Sequence, residues 1–184
     1  SYRRDVNDDL RGIIHFIGTQ LGHSPWKNPH DEAYITVSLS HPLRMNSMKV
    51  GSVVGREKVE TYWGTGLPTW FRVDLQDYAA KPTHFALRHG YALSNSYIQN
   101  WDLQASHDGE HWHTFFHCDP VTHSYAFDCV TYELDKPCDD YYRYWRVISY
   151  SNYFLTATSP GQPLMCSSGF DLFGEMTYHL RTAK

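Results

Sequence analysis

Alternation between apolar and polar residues constrains this chain more than any other feature. In Trp70-Phe71-Arg72-Val73-Asp74-Leu75, the side chains of Phe71, Val73 and Leu75 share one side and those of Arg72 and Asp74 the other. That is the period of a strand with one buried face. Residues 34–40 repeat it, with Ile35, Val37 and Leu39 set against Thr36, Ser38 and Ser40. So do 84–89 (Phe85, Leu87), 100–106 (Trp101, Leu103, Ala105), 142–150 (Trp145, Val147) and 169–174, which reaches on towards Leu180 (Phe170, Leu172). Asp108-Gly109 is a hairpin signal, answered by a strand over 111–117. A weaker strand is expected over 124–129, and the glycine-bounded run Ile13-Ile14-His15-Phe16-Ile17 reads as a buried strand. No stretch of ten or more residues carries a helical period. Many short strands with Gly and Pro punctuation predict an all-β, jelly-roll-like β-sandwich.

The chain has 184 residues, which suits one domain: a polar, loose lead-in over 1–10 and a sandwich over 11–180. A net charge of -4 argues against general nucleic-acid binding, which needs a basic face. No apolar run is long enough for a membrane span. Cys118, Cys129, Cys138 and Cys166 form no C-x-x-C pair, and reduced thiols and a cytoplasmic location are expected. No nucleophile elbow, phosphate loop or zinc-protease helix is present, and no catalytic residue and no cofactor is expected. His111, His113 and His117 share strand parity, the pattern of a zinc site, but a histidine-rich solvated face explains them better; no metal is expected.

Six segments, in order, resemble the discoidin-like (galactose-binding-like) domain, in the subfamily found inside HECT-type ubiquitin ligases and BTB-domain proteins. They are Gly12-Ile13-Ile14-His15-Phe16-Ile17-Gly18 with Trp26-Lys27-Asn28-Pro29; Trp70 to Leu75; Pro82 to Gly90; Asn100 to Trp112, which carries Ser106, Asp108, Gly109 and Trp112; Arg143 to Val147; and Ser168-Gly169-Phe170-Asp171-Leu172-Phe173-Gly174. The resemblance covers roughly 11–175 and implies a non-catalytic module that binds ligands at loops on one end of the sandwich. The extracellular branch of the family ties its first and last strands by a disulfide. Here the first cysteine is Cys118, so that tie is not available.

The long irregular stretch 41–69 carries Arg44, Arg56, Tyr62 and Trp63, and the resemblance places it beside the loop that starts at Arg88. Trp63, next to Gly64, reads either as an exposed aromatic beside arginines, the composition of a binding hot spot, or as a side chain folded back to cap the core. The second loop offers Arg88, His89, Tyr91, Asn95 and Tyr97, with the guanidinium of Arg88 either receiving an acidic group or bridging internally to fix the rim. A third loop adds Asn152 and Tyr153. Trp26, Asn28 and Pro29 read as a structural turn, and Trp101 and Trp112 as core. The expected partner is a protein or peptide, recruited for a larger protein such as a ubiquitin ligase or BTB adaptor. The alternative is a carbohydrate or phospholipid.

Overall fold

Buried rows on facing strands draw the chain into two stacked antiparallel sheets. The computed structural model describes residues 2–3, 10–64, 66–90, 100–118, 127–150 and 165–178. In chain order the elements are β1 (Tyr2–Arg3), α1 (Ile13–Gly18), β2 (Thr36–Leu39), a 3-10 turn (Val50–Val54), β3 (Tyr62–Trp63), β4 (Thr69–Asp74), β5 (Tyr78–Arg88), β6 (Trp101–Ser106), β7 (His113–Cys118), β8 (Cys129–Glu133), β9 (Tyr144–Ser149), β10 (Met165–Cys166) and β11 (Gly169–Tyr178). One sheet has the order β1-β8-β5-β11 and the other β2-β4-β9-β6-β7, with β3 and β10 forming a short separate pair. The all-β sandwich expected from alternation is the observed architecture. Among the described residues no helix is long and apolar enough to cross a membrane.

The core is aromatic where the sheets meet. Phe85 of β5 stacks on Tyr132 at 5.0 Å and meets Trp101 of the facing sheet edge-on at 5.9 Å. Phe71 of β4 meets Phe170 of β11 at 5.2 Å, also edge-on. Such pairs lock the separation and register of the layers beyond simple area burial. Strand β4 alternates buried and half-buried residues along its whole length, as its sequence requires.

The strand expected over 12–18 is instead helix α1, whose buried residues are Ile13, Ile14, Ile17 and Gly18, while Phe16 is exposed. A strand would have put Ile13 and Ile14 on opposite faces; one and a half helical turns put both against β11. The deciding partner lies far along the chain. The buried carboxylate of Asp171 accepts the backbone N–H of Gly12 (2.8 Å), Ile14 (2.7 Å), His15 (3.1 Å) and Leu172 (2.7 Å). It satisfies the orphan donors of the helix N-terminus, for which no local side chain caps. A side chain at Gly12 would collide with the Leu172 carbonyl and the Asp171 carboxylate. Burial pushes the Asp171 carboxyl up to about 7, against the downward pull of its four N–H donors.

Trp112 also departs from expectation. Trp101 is buried in the core, but Trp112 is half-exposed on the outer face of the five-stranded sheet, with the Arg146 guanidinium 4.1 Å above its ring. The hairpin between β6 and β7 puts it there. Gly109 takes a positive φ of 79°, and the Ser106 hydroxyl accepts the Gly109 N–H at 2.9 Å. The last residue of β4 and the residue just before β9 are tied by charge: Arg143 grips Asp74 with two bonds of 2.7 and 3.0 Å. Strand β5 starts six residues before its expected start, because Tyr78–Lys81 pair with the far half of β11.

Replacing Asp171 by Ala leaves buried N–H donors without an acceptor. Urea unfolding of Asp171→Ala is expected to show a loss of about 3 kcal/mol, with the signal of α1 lost first in hydrogen exchange.

Candidate functional site

Strands of both sheets send their long connections to one end of the sandwich. The described strand ends Leu39, Thr69, Arg88, Trp101, Ser149 and Gly169 lie at that end, whereas the short turn 75–77 and the hairpin 107–112 close the other. The described parts of the first two expected loops do meet. The Thr61 N–H donates to the Gly90 carbonyl at 2.8 Å, and the Ser167 N–H donates to the Thr61 carbonyl at 3.1 Å. A Cβ at Gly90 would lie 2.6 Å from the Ser167 backbone and 2.8 Å from the Thr61 carbonyl, so only glycine permits this three-layer contact.

Arg88 holds the rim from inside. It is 2% exposed, and its guanidinium donates to the carbonyls of Ser168 (2.7 Å), Glu57 (3.1 Å) and Gly55 (3.4 Å) and to the Ser168 hydroxyl (3.3 Å). The planar fork thus clamps the 55–57 segment to the start of β11. Of the two roles open to Arg88, the structure shows the internal bridge.

Trp63 is fully buried, which corrects the reading of it as an exposed hot spot. Its indole N–H donates to the Trp70 carbonyl at 3.1 Å and its ring meets Phe71 edge-on at 6.1 Å. Pairing of β3 with β10 sets Trp63 opposite Met165 and turns the indole inward. His89 is buried as well, with Nδ1 3.2 Å from the Cys166 sulfur. The pair has the composition of a nucleophile and its base, but burial lowers the His89 pKa to about 4 and raises the Cys166 thiol to about 12. Both groups stay neutral and enclosed, the reverse of an activated thiolate.

Arg44 is exposed and Tyr62 half-buried beside it, with the Arg44 N–H donating to the Tyr62 carbonyl at 3.2 Å. Arg56 is the expected residue that does line an opening. A cleft of about 210 Å³ is bounded by Trp26, Asn28, Asp31, Lys49, Arg56 and Glu57, with the Arg56 guanidinium 5.9 Å from the Trp26 ring. Tyr91, Asn95, Tyr97, Asn152 and Tyr153 lie outside the described residues.

The floor of the cleft is the expected turn. The Asn28 amide donates to the Gly51 carbonyl at 2.8 Å and its Oδ1 accepts the His30 N–H at 3.0 Å. Sequence reasoning had no signal for Lys49 and Asp31, because neither belongs to a motif and each reaches the cleft only through this turn. The cleft offers two cations, two carboxylates and an aromatic wall, a set suited to polar recognition.

The three histidines considered for zinc do not converge. His111 binds Asp108 and His117 binds Asp102, each at 2.6 Å, while His113 lies 5.9 Å from Tyr142. Asp108, Glu110 and His111 come together at the hairpin tip, all exposed. Asp108 already accepts two backbone N–H groups and the Ser106 hydroxyl.

A neutral buried His89 makes stability pH-dependent. Its folded pKa lies below the ordinary 6.5, so the unfolded chain binds the extra proton first and stability falls as pH drops from about 6.5 towards 4. Asp171 tilts the opposite way over the same range, so the measurable quantity is the difference between a variant and wild type. Between pH 7 and pH 5, wild type is expected to lose about 2 kcal/mol more than His89→Gln in urea titrations.

No family model matches the chain. It is 27% identical over 174 residues to the E3 ubiquitin-protein ligase Ufd4 of Drosophila melanogaster, covering 91% of this chain. It is 26% identical over 180 residues to the E3 ubiquitin-protein ligase hecd-1 of Caenorhabditis elegans, covering 94% of this chain. The chain spans only 6% of the length of each of these curated relatives. Among solved structures, a family 32 carbohydrate-binding module of Clostridium perfringens in complex with GalNAc-β-1,3-galactose matches with a TM-score of 0.57 at 12% identity, covering 78% of this chain and 97% of that one. The chain therefore has the discoidin-like, galactose-binding-like fold, and its sequence is similar to a segment of E3 ubiquitin-protein ligases.

Proposed function

We propose that this domain is a non-catalytic recruiting module, which binds a protein or peptide partner at the rim for a larger cytoplasmic protein such as a ubiquitin ligase or BTB adaptor. The observation that carries the reading is the braced cleft: a half-buried Arg56 beside Trp26, Lys49 and Asp31, on a segment clamped from below by the buried Arg88. A rigid support shell lowers the cost of ordering on binding and favours specificity. Similarity to two E3 ligases, each mostly composed of other sequence, supports a part that delivers a partner to chemistry performed elsewhere. Arg56 and Lys49 would take an acidic group of the partner, with Trp26 supplying flat contact area.

A carbohydrate is the second reading, and one feature favours it. Trp26 is half-exposed with Asn28 and Asp31 beside it, an aromatic face ringed by polar groups. The buried Trp63 offers no second aromatic face, and the Arg56 guanidinium already lies near the Trp26 ring. Leu93 and Leu155, which a membrane site would use as apolar tips, lie outside the described residues.

The test is affinity capture from cell lysate with wild type and Arg56→Ala/Lys49→Ala. The double variant is expected to keep its melting temperature, since both side chains lie at the surface of the cleft, and to lose its partners by about tenfold. Recovery of the same partners by both proteins would sink the rim assignment. Titration with galactose or GalNAc-β-1,3-galactose separates the second reading: a Trp26→Ala-sensitive response would favour it.

A further inference from the structure

The outer face of the five-stranded sheet carries an arrangement unrelated to the rim. Arg72 of β4 stands directly opposite Arg146 of β9 in the ladder. Like charges in that position repel across a short gap and weaken a sheet. Arg146 lies along the Trp112 ring at 4.1 Å, and its Nε donates to the side-chain Oε1 of Gln104 at 2.8 Å. The Gln104 amide nitrogen is itself committed to Thr114 at 3.0 Å. Arg72 lies 5.8 Å from the Tyr144 ring, and its Nε is buried with no hydrogen-bond partner among the described residues.

The carboxylates of this face are engaged elsewhere. Asp74 is held by both arms of Arg143, and Asp102 by His117. Ser38, the residue opposite Arg72 on the other side, offers only a hydroxyl. In a protein of net charge -4, this face presents two adjacent guanidinium groups with aromatic flanks and no acid in the pair.

We propose that this sheet face is a second docking surface, on which Arg72 and Arg146 receive carboxylates of an acidic segment of a partner protein. Guanidinium forks match carboxylates in planar geometry. Trp112 and Tyr144, both half-exposed, flank the pair and give flat area for the aliphatic stems of Glu residues. A half-exposed sheet face suits an extended segment rather than a small enclosed anion. The hairpin tip borders the site: a Cβ at Gly109 would sit 3.5 Å from the Arg72 guanidinium and 3.6 Å from the Tyr144 ring. The hairpin motif thus positions Trp112 and packs beside the Arg72 head.

The probe is a short glutamate-rich peptide, followed by amide and indole NMR shifts on the domain. Shifts are expected at the Trp112 indole and along β4 and β9, with affinity falling about tenfold in Arg72→Gln/Arg146→Gln and weakening with added salt. The glutamine-rich counterpart is expected not to bind, and Arg56→Ala to bind as wild type does, which separates this site from the rim. Arg72→Gln is also expected to hold or raise the melting temperature, because it removes the like-charge opposition. Three results would each overturn the proposal: peptide binding unchanged in the double variant, inorganic phosphate binding as strongly as the peptide, or a marked fall in melting temperature on Arg72→Gln.

Discussion

A single buried carboxylate joins the two ends of this fold. Asp171 sits in the last strand and accepts the backbone N–H groups that open the first helix, 156 to 159 residues earlier in the chain. Four donors on one acidic group offset much of the cost of removing it from water. The contact sets the helix against β11, and the start of β11 in turn sets the rim, since Ser167 and Ser168 bond to Thr61, Arg88 and His89. The extracellular branch of the resembling family ties its ends covalently. Here all four cysteines are buried free thiols, and hydrogen bonding makes the connection.

The rim shows a division of labour that follows from burial. Arg88, His89 and Trp63 look like contact residues by type, yet Arg88 and Trp63 are spent on main-chain carbonyls and His89 is buried against the Cys166 sulfur. A buried guanidinium needs acceptors on several sides, and main-chain carbonyls of converging loops supply them without a carboxylate. With these groups inside, the recognition proposed for the rim rests on other side chains, Arg56, Lys49 and Trp26. The outer sheet face differs in kind, since its arginines oppose each other and leave a buried N–H unsatisfied. Among the described residues the other buried side-chain atom without a partner is the Thr61 hydroxyl at the rim, and such local conflicts concentrate at functional positions.

Strand periodicity was legible wherever one face was buried and the run was long enough to show it, as in β4, β6 and β9. It failed for α1, because a five-residue apolar run fits a buried strand and a short helix equally well. It also failed for Trp63, since a two-residue strand has no period to read, and its neighbouring glycine suggested exposure. Hydrophobicity alone points Trp112 to the core; the hairpin turn sets it on the outer face, where a guanidinium covers it. Within the rim, the meeting of the 55–61 and 88–90 segments could be expected from the resemblance, but Asp31 and Lys49 could not, because no local pattern marks them.

What the sequence determined by itself was the architecture: alternating rows must bury one face, and two such faces close into a sandwich. It also determined the family resemblance, the hairpin at Asp108-Gly109 and the lack of a cysteine near the first strand. Tertiary structure alone decided which polar groups turn inward. Whether an arginine meets a ligand or a carbonyl depends on where distant backbone ends, and hydrogen-bond satisfaction in a buried space is a property of the assembled fold rather than of any neighbourhood along the chain.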